Sequence, residues 1–258
     1  MILRERYKWE DNMKENILTL RRKIDTIKTM GWIQVPRRGY GEVGLLFEGL
    51  LGVNNNDFSV PDFAGIEIKV QNRFSRFPLT LFSCTCDGPD FYEIKRIVKK
   101  YGIINRKYGD TKFLFISLSC TAFSNWGRYL KMKLYIDHKK QKLYILIAHA
   151  NGKIIEKKSY WDFSTLKECL ERKLKFLCYV VSDSISLNGK KFVKYNEAYF
   201  YGLKNFDIFI NLLEKGYIVV NIKCGIYKRG PKEGQSYDHG TSFQISTEAI
   251  SELFEPII

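Results

Sequence analysis

The sequence predicts a mixed α/β protein of the α+β kind, with two lobes packed on one another. Three observations carry this. Helical and strand periods alternate without the regular βαβ rhythm of a doubly wound sheet. No internal repeat recurs along the 258 residues. No Pro/Ser-rich linker separates two halves, although the length allows one or two domains. With 45% hydrophobic and 15% aromatic residues, a core can form without disulfides, and a disordered chain is excluded.

The first helix rests on Met13, Ile17, Leu20, Ile24 and Ile27, which recur every three or four residues, with Gly31 placed to end it. After the turn-rich Arg37-Arg38-Gly39-Tyr40-Gly41, Val43 to Leu51 reads as a short buried helix with one acid, Glu48. Asn54 to Asp57 is a loop. Pro61 to Val70 reads as a strand and Leu79 to Cys84 as its partner; Asp90 to Tyr101 predicts a helix. Lys112–Leu118, Lys131–Ile136 and Lys142–Ala148 predict strands, the last two joined by the polar turn His138-Lys139-Lys140-Gln141. Thr165 and Glu168 have capping-box spacing, and their helix runs on through Leu166, Leu170, Leu174 and Leu177. Tyr217–Ile226 is β-rich, Lys228 to Gly234 forms a basic loop, Thr241–Ile245 predicts a strand, and a short amphipathic tail follows.

Lys and Arg number 42 against 28 Asp and Glu, a net charge of +14. That excess favours a polyanionic partner, either nucleic acid or an acidic membrane face. No apolar run approaches the ~18 residues of a transmembrane helix. Residues 1–16 are dense in charge and lack the apolar stretch of a secretory signal. The six cysteines include no CxxC pair, so they are expected to be reduced and mostly in the core, in a cytoplasmic protein.

The chemistry is concentrated in Pro61-Asp62-Phe63-Ala64-Gly65-Ile66-Glu67-Ile68-Lys69-Val70. On a strand, Glu67 and Lys69 share one face, while Ile66, Ile68 and Val70 share the other. Asp62 precedes them. Two carboxylates can hold Mg²⁺, a hard ion that takes oxygen ligands, against a scissile phosphate. A lysine beside the attacking water can orient it or stabilise the phosphorus transition state. The bland alternative is a solvated strand face with a Glu–Lys pair. Pro-Asp at this distance, the β-branched opposite face and the basic chain all weigh against it.

The string P-D-x4-E-x-K is the signature of the PD-(D/E)xK nuclease superfamily. Gly41-Glu42-Val43-Gly44-Leu45-Leu46-Phe47-Glu48-Gly49-Leu50-Leu51-Gly52 resembles the glycine-then-glutamate helix of MutH-like nucleases. Tyr160-Trp161-Asp162-Phe163, Lys173-Leu174-Lys175, Lys194-Tyr195-Asn196, Gly225-Ile226-Tyr227 and Asp238-His239-Gly240-Thr241-Ser242-Phe243 narrow the resemblance to the MvaI/BcnI family of type II restriction endonucleases. It covers most of the chain, from about residue 30 to residue 246.

The resemblance implies a PD-(D/E)xK restriction-endonuclease-like core with a second, DNA-recognition lobe. It implies a Mg²⁺-dependent enzyme that cuts duplex DNA at a short pseudopalindromic site, acting as a monomer that nicks one strand and then the other. Mn²⁺ is expected to substitute, and Ca²⁺ to bind without supporting cleavage. By position, Asp62 and Glu67 are the metal ligands, with the main-chain carbonyl of Ile68. Lys69 is the catalytic lysine, and Glu48 reaches the same site. No obligatory protein partner is expected, and a cognate DNA methyltransferase belongs to the same system. Residues 1–110 are expected to form mainly the catalytic lobe and 111–258 mainly the recognition lobe, interleaved, with DNA held between them.

Sequence readout is expected from the C-terminal half. His239 offers a donor and an acceptor and Asp238 accepts, which suits base edges. Asn221 and Lys223 share one face of a strand; an amide pairs with adenine and Lys with guanine. Some relatives carry an acid and an arginine at the positions of Asn221 and Lys223, and an arginine at that of Gln244. The resemblance therefore implies a different or less GC-rich target. Backbone contacts are expected from Arg37, Arg38, Arg73, Arg76, Lys190, Lys191, Lys228, Arg229 and Lys232. His138 and His149 are expected to be solvated and structural, respectively. Two alternatives remain at this level: a MutH-like mismatch-repair nickase that needs partner proteins, and a catalytically silent DNA-binding protein.

Overall fold

The computed structural model describes residues 2–36, 41–53, 60–90 and 92–257. The turn around Arg37 and Arg38 and the Asn54–Asp57 loop lie outside the described residues. The apolar stripe of the first helix does what its period predicts. Ile2–Thr29 is helical, Met13, Ile17, Leu20, Ile24 and Ile27 are buried, and Gly31 follows at φ +66°. The second helix is Glu42–Leu51, with Phe47 and Leu51 buried.

The chain folds into two compact units, interleaved in sequence. The first comprises residues 1–79, 171–204 and 254–258. The second comprises 80–170 and 205–253. A single cut at residue 110 therefore does not follow the units: 80–110 belongs with the second, and 171–204 and 254–258 with the first.

The first unit is built on one sheet. Its strands run in the order Ile33–Gln34, Lys190–Leu203, Phe176–Leu187, Glu67–Asn72, and Phe254–Pro256 also pairs with Lys190–Leu203. The two long strands form a hairpin around Asn188 and Gly189, both at positive φ. Asn-Gly favours this kind of turn because each residue tolerates the left-handed conformation. One face of the sheet, with Ile68, Cys178, Val180, Val193 and Phe200, packs against the first two helices. Phe47 and Tyr195 meet at 4.7 Å between ring centroids, and the Tyr195 hydroxyl donates to the Val43 carbonyl at 2.8 Å.

Three expectations are corrected here. Leu79–Ser83 is a strand, but it does not pair with the Glu67 strand; it pairs with Ser236–Ile245. The Glu67 strand lies parallel to Phe176–Leu187 instead. The helix Phe163–Leu174 stops before Leu177, which lies in the strand Phe176–Leu187, where Phe176, Tyr179, Val180 and Val181 favour extended backbone. Thr165 lies inside that helix rather than capping it, and its hydroxyl donates to Asp87 at 2.9 Å.

The second unit holds two further sheets. One runs Leu79–Ser83, Ser236–Ile245, Ile218–Ile226, Lys112–Leu118, Ile103–Ile104. The other runs Tyr160–Asp162, Lys142–His149, Leu130–Asp137, Ser124–Trp126, with Ile154–Glu156 beside Lys142–His149. Phe82, Phe209, Phe243 and Trp161 form an aromatic core, with Phe82 and Phe243 stacked at 4.9 Å. The six cysteines are free thiols; Cys84, Cys86, Cys178 and Cys224 are buried. His138 is exposed, as its turn predicts, and lies 2.6 Å from Glu214.

Candidate active site

The spacing between Asp62 and Glu67 has a structural cause. Phe63 and Ile66 exchange both backbone hydrogen bonds, at 3.0 and 2.8 Å, around Ala64 at φ +45° and Gly65 at φ +88°. Two positive φ values in a row make a tight two-residue hairpin turn. The next residues outward are Asp62 and Glu67, which therefore lie cross-strand from one another. Pro61 to Val70 is thus not one continuous strand. It is a hairpin whose second arm, Glu67–Asn72, is the sheet strand. The Ala64-Gly65 pair lacks the Asn-Gly signature, which is why the turn is hidden within a run of strand-forming residues.

The hairpin anchors Asp62. Its Oδ2 accepts the Ile68 N–H at 2.8 Å. Within a strand, a residue's N–H and C=O point to the same side. The Ile68 carbonyl therefore faces the free edge, beside Asp62, while the backbone groups of Glu67 and Lys69 face the paired strand. Glu67 and Lys69 share the opposite face from the core, in register with Leu177 and Tyr179.

Glu67 is almost fully buried, at 1% exposure, and is held by two lysines. Lys69 Nζ donates to its Oε1. Lys173 Nζ lies 3.1 Å from its Oε2 and also donates to the Val60 carbonyl at 3.1 Å. The Lys173 contact lacks hydrogen-bond geometry, so Oε2 is a buried acceptor with an ion pair but no hydrogen bond. Burial pushes the Glu67 carboxyl up to about 6, with Lys69 opposing and the Asp62 charge adding to the rise. Glu48, from the helix Glu42–Leu51, is raised by burial and then by Asp62, while Lys69 and Lys173 oppose. Asp62 thus acts on both Glu48 and Glu67 through its charge, and the ammonium groups of Lys69 and Lys173 oppose it at both.

This donor set fits a divalent cation. Mutual repulsion among the carboxylates, an acceptor lacking a hydrogen bond and a carbonyl on the free edge all favour a hard positive ion. Among the described residues, no three His, Cys, Asp or Glu side chains stand together as a ready metal set. Two carboxylates and a main-chain oxygen would leave the rest of the coordination shell to water or phosphate, the usual arrangement for Mg²⁺.

Lys173 has no assigned role in the sequence reading. Its signal was the Lys173-Leu174-Lys175 match at the end of a helix, but nothing local says that the ammonium reaches Glu67. Arg73, expected as a DNA-backbone contact, meets two acids on the surface. Its guanidinium lies 2.9 and 2.8 Å from the two Glu197 oxygens and 3.3 Å from Asp183, so two acids already neutralise it. Arg37 and Arg38 lie outside the described residues. Lys228, Arg229 and Lys232 are exposed in the loop between the strands Ile218–Ile226 and Ser236–Ile245.

The expected base readers lie together in the second unit. Asn221 donates to Gln244 at 2.5 Å, and Gln244 donates to Thr80 at 2.9 Å. The register between these strands shifts between Ile222 and Cys224, so Lys223 faces the pair His239-Gly240. Gly240 sits at φ +84°, the left-handed geometry that such a bulge requires. Asp238 Oδ1 accepts the Gly240 N–H at 2.8 Å and holds the bulge. His239 is exposed, edge-on to Tyr237 at 4.3 Å, and Lys223 is exposed on the same sheet.

The mixed α+β fold is that of a restriction endonuclease. Residues 21–254 match the model of the MvaI/BcnI restriction endonuclease family, and the chain belongs to that family. It is accordingly a type II site-specific deoxyribonuclease, of a family that uses divalent metal. Among solved structures, it resembles the restriction endonuclease MvaI–cognate DNA substrate complex at 29% identity, covering 94% of this chain and 98% of that one with a TM-score of 0.86. It also resembles the restriction endonuclease MvaI in the absence of DNA at 29% identity, covering 94% and 96% of the two chains with a TM-score of 0.61. Comparison with curated protein sequences returns no match.

Proposed function

We propose that this protein is a Mg²⁺-dependent restriction endonuclease that hydrolyses duplex DNA at a short pseudopalindromic site, as a monomer that nicks the two strands in turn. The observation that carries the proposal is the Asp62–Glu67 hairpin with Lys69 on the same face as Glu67. Asp62, Glu67 and the Ile68 carbonyl would hold the ion. When bound, it supplies positive charge to the scissile phosphate and raises the acidity of neighbouring water. Mn²⁺ would substitute, and Ca²⁺ would bind without supporting cleavage.

The chain's own groups do the rest. Lys69, hydrogen-bonded to Glu67, presents its ammonium where a phosphate oxygen or the attacking water would lie, orienting the water and offsetting charge on phosphorus. Glu48 adds a third acid that can take the proton released by water. The Ile68 N–H fixes Asp62 before substrate arrives, which limits the reorganisation needed for reaction.

The first unit would be the catalytic lobe, and the second would read bases through Asn221, Lys223, Asp238, His239 and Gln244. Lys228, Arg229 and Lys232 would grip phosphates. Without protection, an enzyme cutting a short site would also cut its host's DNA. A cognate methyltransferase in the same cytoplasm follows from that hazard.

The test is digestion of unmethylated plasmid and phage DNA with Mg²⁺, followed by sequencing of the ends. Discrete fragments sharing one short motif support the reading. Nicked circles accumulating transiently on a one-site plasmid support sequential cutting by a monomer. No cleavage, or nicking only with added proteins, overturns it.

A further inference from the structure

The segment after the catalytic strand, Arg73-Phe74-Ser75-Arg76-Phe77-Pro78, has an unusual surface. Phe74 is 81% exposed and Phe77 73%, the highest values among the large hydrophobic side chains described. One exposed Phe is ordinary; two on one short turn are a feature.

The turn is firmly built. Phe74 N–H donates to the Asn72 side chain at 2.9 Å, and Ser75 N–H to the Asn72 carbonyl at 2.9 Å. Phe77 N–H donates to Ser75 Oγ at 3.3 Å, and Arg73 N–H to the Ser182 carbonyl at 2.8 Å. The two rings therefore stand out from a held backbone.

The turn is also tied to the catalytic face. Gln71 lies two residues beyond Lys69 and four beyond Glu67, so its side chain shares their face. Its Nε2 donates to the Phe77 carbonyl at 2.7 Å, and its Oε1 accepts the Tyr179 hydroxyl at 2.8 Å. Tyr179 is itself in register with Lys69. Gln71 thus folds the turn toward the face that carries the acids and lysine. Asn72 is three residues past Lys69, about 10 Å along a strand. That is about three base-pair steps at 3.4 Å each.

The charges around the rings are uneven. Arg73 is neutralised by Glu197 and Asp183, while Arg76 has no ion-pair partner among the described residues. The tip therefore pairs apolar rings with one available cation, the composition of a wedge that meets base steps beside a phosphate.

We infer that Phe74 and Phe77 form an apolar wedge that enters a groove of the duplex and packs against base steps flanking the scissile phosphate. The inference rests on the proposed cleavage site at Lys69. It adds a contact to bases from the catalytic unit, separate from readout by the second unit.

The test uses the full-length protein without divalent metal and a fluorescein-labelled linear duplex, with anisotropy measured across a range of salt. Phe74→Ala/Phe77→Ala should bind about tenfold more weakly, the scale of losing aromatic contact with bases. Its salt dependence should equal that of wild type, because no phosphate contact is removed. Its melting temperature should be unchanged, since both rings are exposed, and Phe74→Trp/Phe77→Trp should restore affinity. A loss below about threefold on the same scale overturns the wedge. So does a Trp pair as weak as the Ala pair, or a change confined to self-association. Wild-type protein that neither binds nor cuts duplex DNA would instead sink the proposed function itself; binding by wild type with an unaffected Ala pair sinks only the wedge.

Discussion

Replacing Lys173 by Met removes one of the two charges that hold Glu67 while keeping most of the stem's bulk. At 3.1 Å and an effective dielectric of about 20, the gross attraction is roughly 5 kcal/mol. Lys173 is itself nearly buried, at 11% side-chain exposure, so losing it also removes its desolvation cost. Lys69 remains on Oε1. A net cost of about 2 kcal/mol follows for the ionised state. Because Lys173 opposes the rise that burial imposes on Glu67, losing it raises the carboxyl further above its ordinary range. The sign follows from linkage. A carboxyl raised above its ordinary 4.5 favours the folded state at low pH, and that stability is lost as pH rises through the folded value. In wild type the loss is complete soon above about pH 6; in the variant it continues to higher pH. Thermal unfolding of metal-free protein checks this. The variant should melt roughly 4–8 °C lower at about pH 8, with the gap closed or reversed at about pH 5. A gap of equal size at both pH values, or none at either, would refute the pairing of Lys173 with Glu67.

Four further variants have expected outcomes. Lys69→Ala should slow DNA cleavage by at least about a hundredfold while leaving duplex affinity largely intact, and normal cutting by this variant would remove Lys69 from the site. Gly65→Ala forces a side chain to φ +88° with its Cβ 3.3 Å from the Met13 terminal methyl, so it should cost about 1–2 kcal/mol and slow cleavage by shifting Asp62. Ala64→Gly in the same turn should raise the melting temperature slightly, and calorimetry on both variants separates turn strain from packing. Burial would raise Glu156, but hydrogen bonds from Arg96, Lys100 and Tyr101 overcome it and hold the carboxyl down to about 2. Its contribution is present above the ordinary 4.5 and lost as pH falls toward 2. Discounted for the half-exposed Lys100, the effect is about 2 kcal/mol, so Glu156→Gln should lower stability at pH 7 but not near pH 2.

Sequence alone placed a carboxylate and lysine cluster and much of the local structure. Met13 to Ile27 announced a helix and its buried face, because helical period and burial face are both local properties. The string from Asp62 to Lys69 named a carboxylate and lysine cluster because the alternation of a strand fixes which side chains share a face. The hairpin at Asn188-Gly189 is not among the predicted elements, although Asn-Gly is a strong turn signal.

Tertiary structure decided the rest. It showed that Asp62 reaches Glu67 through a turn, because Ala64 accepts a left-handed conformation that its residue type does not advertise. It took the Glu67 strand's partner from Phe176–Leu187, more than a hundred residues away, rather than from nearby Leu79–Ser83. It brought Lys173 to Glu67 and neutralised Arg73 with Glu197 and Asp183. Turns and helical faces are written in neighbouring residues. Strand partners and charge partners are chosen by which distant surfaces bury together, and no window of sequence contains that comparison.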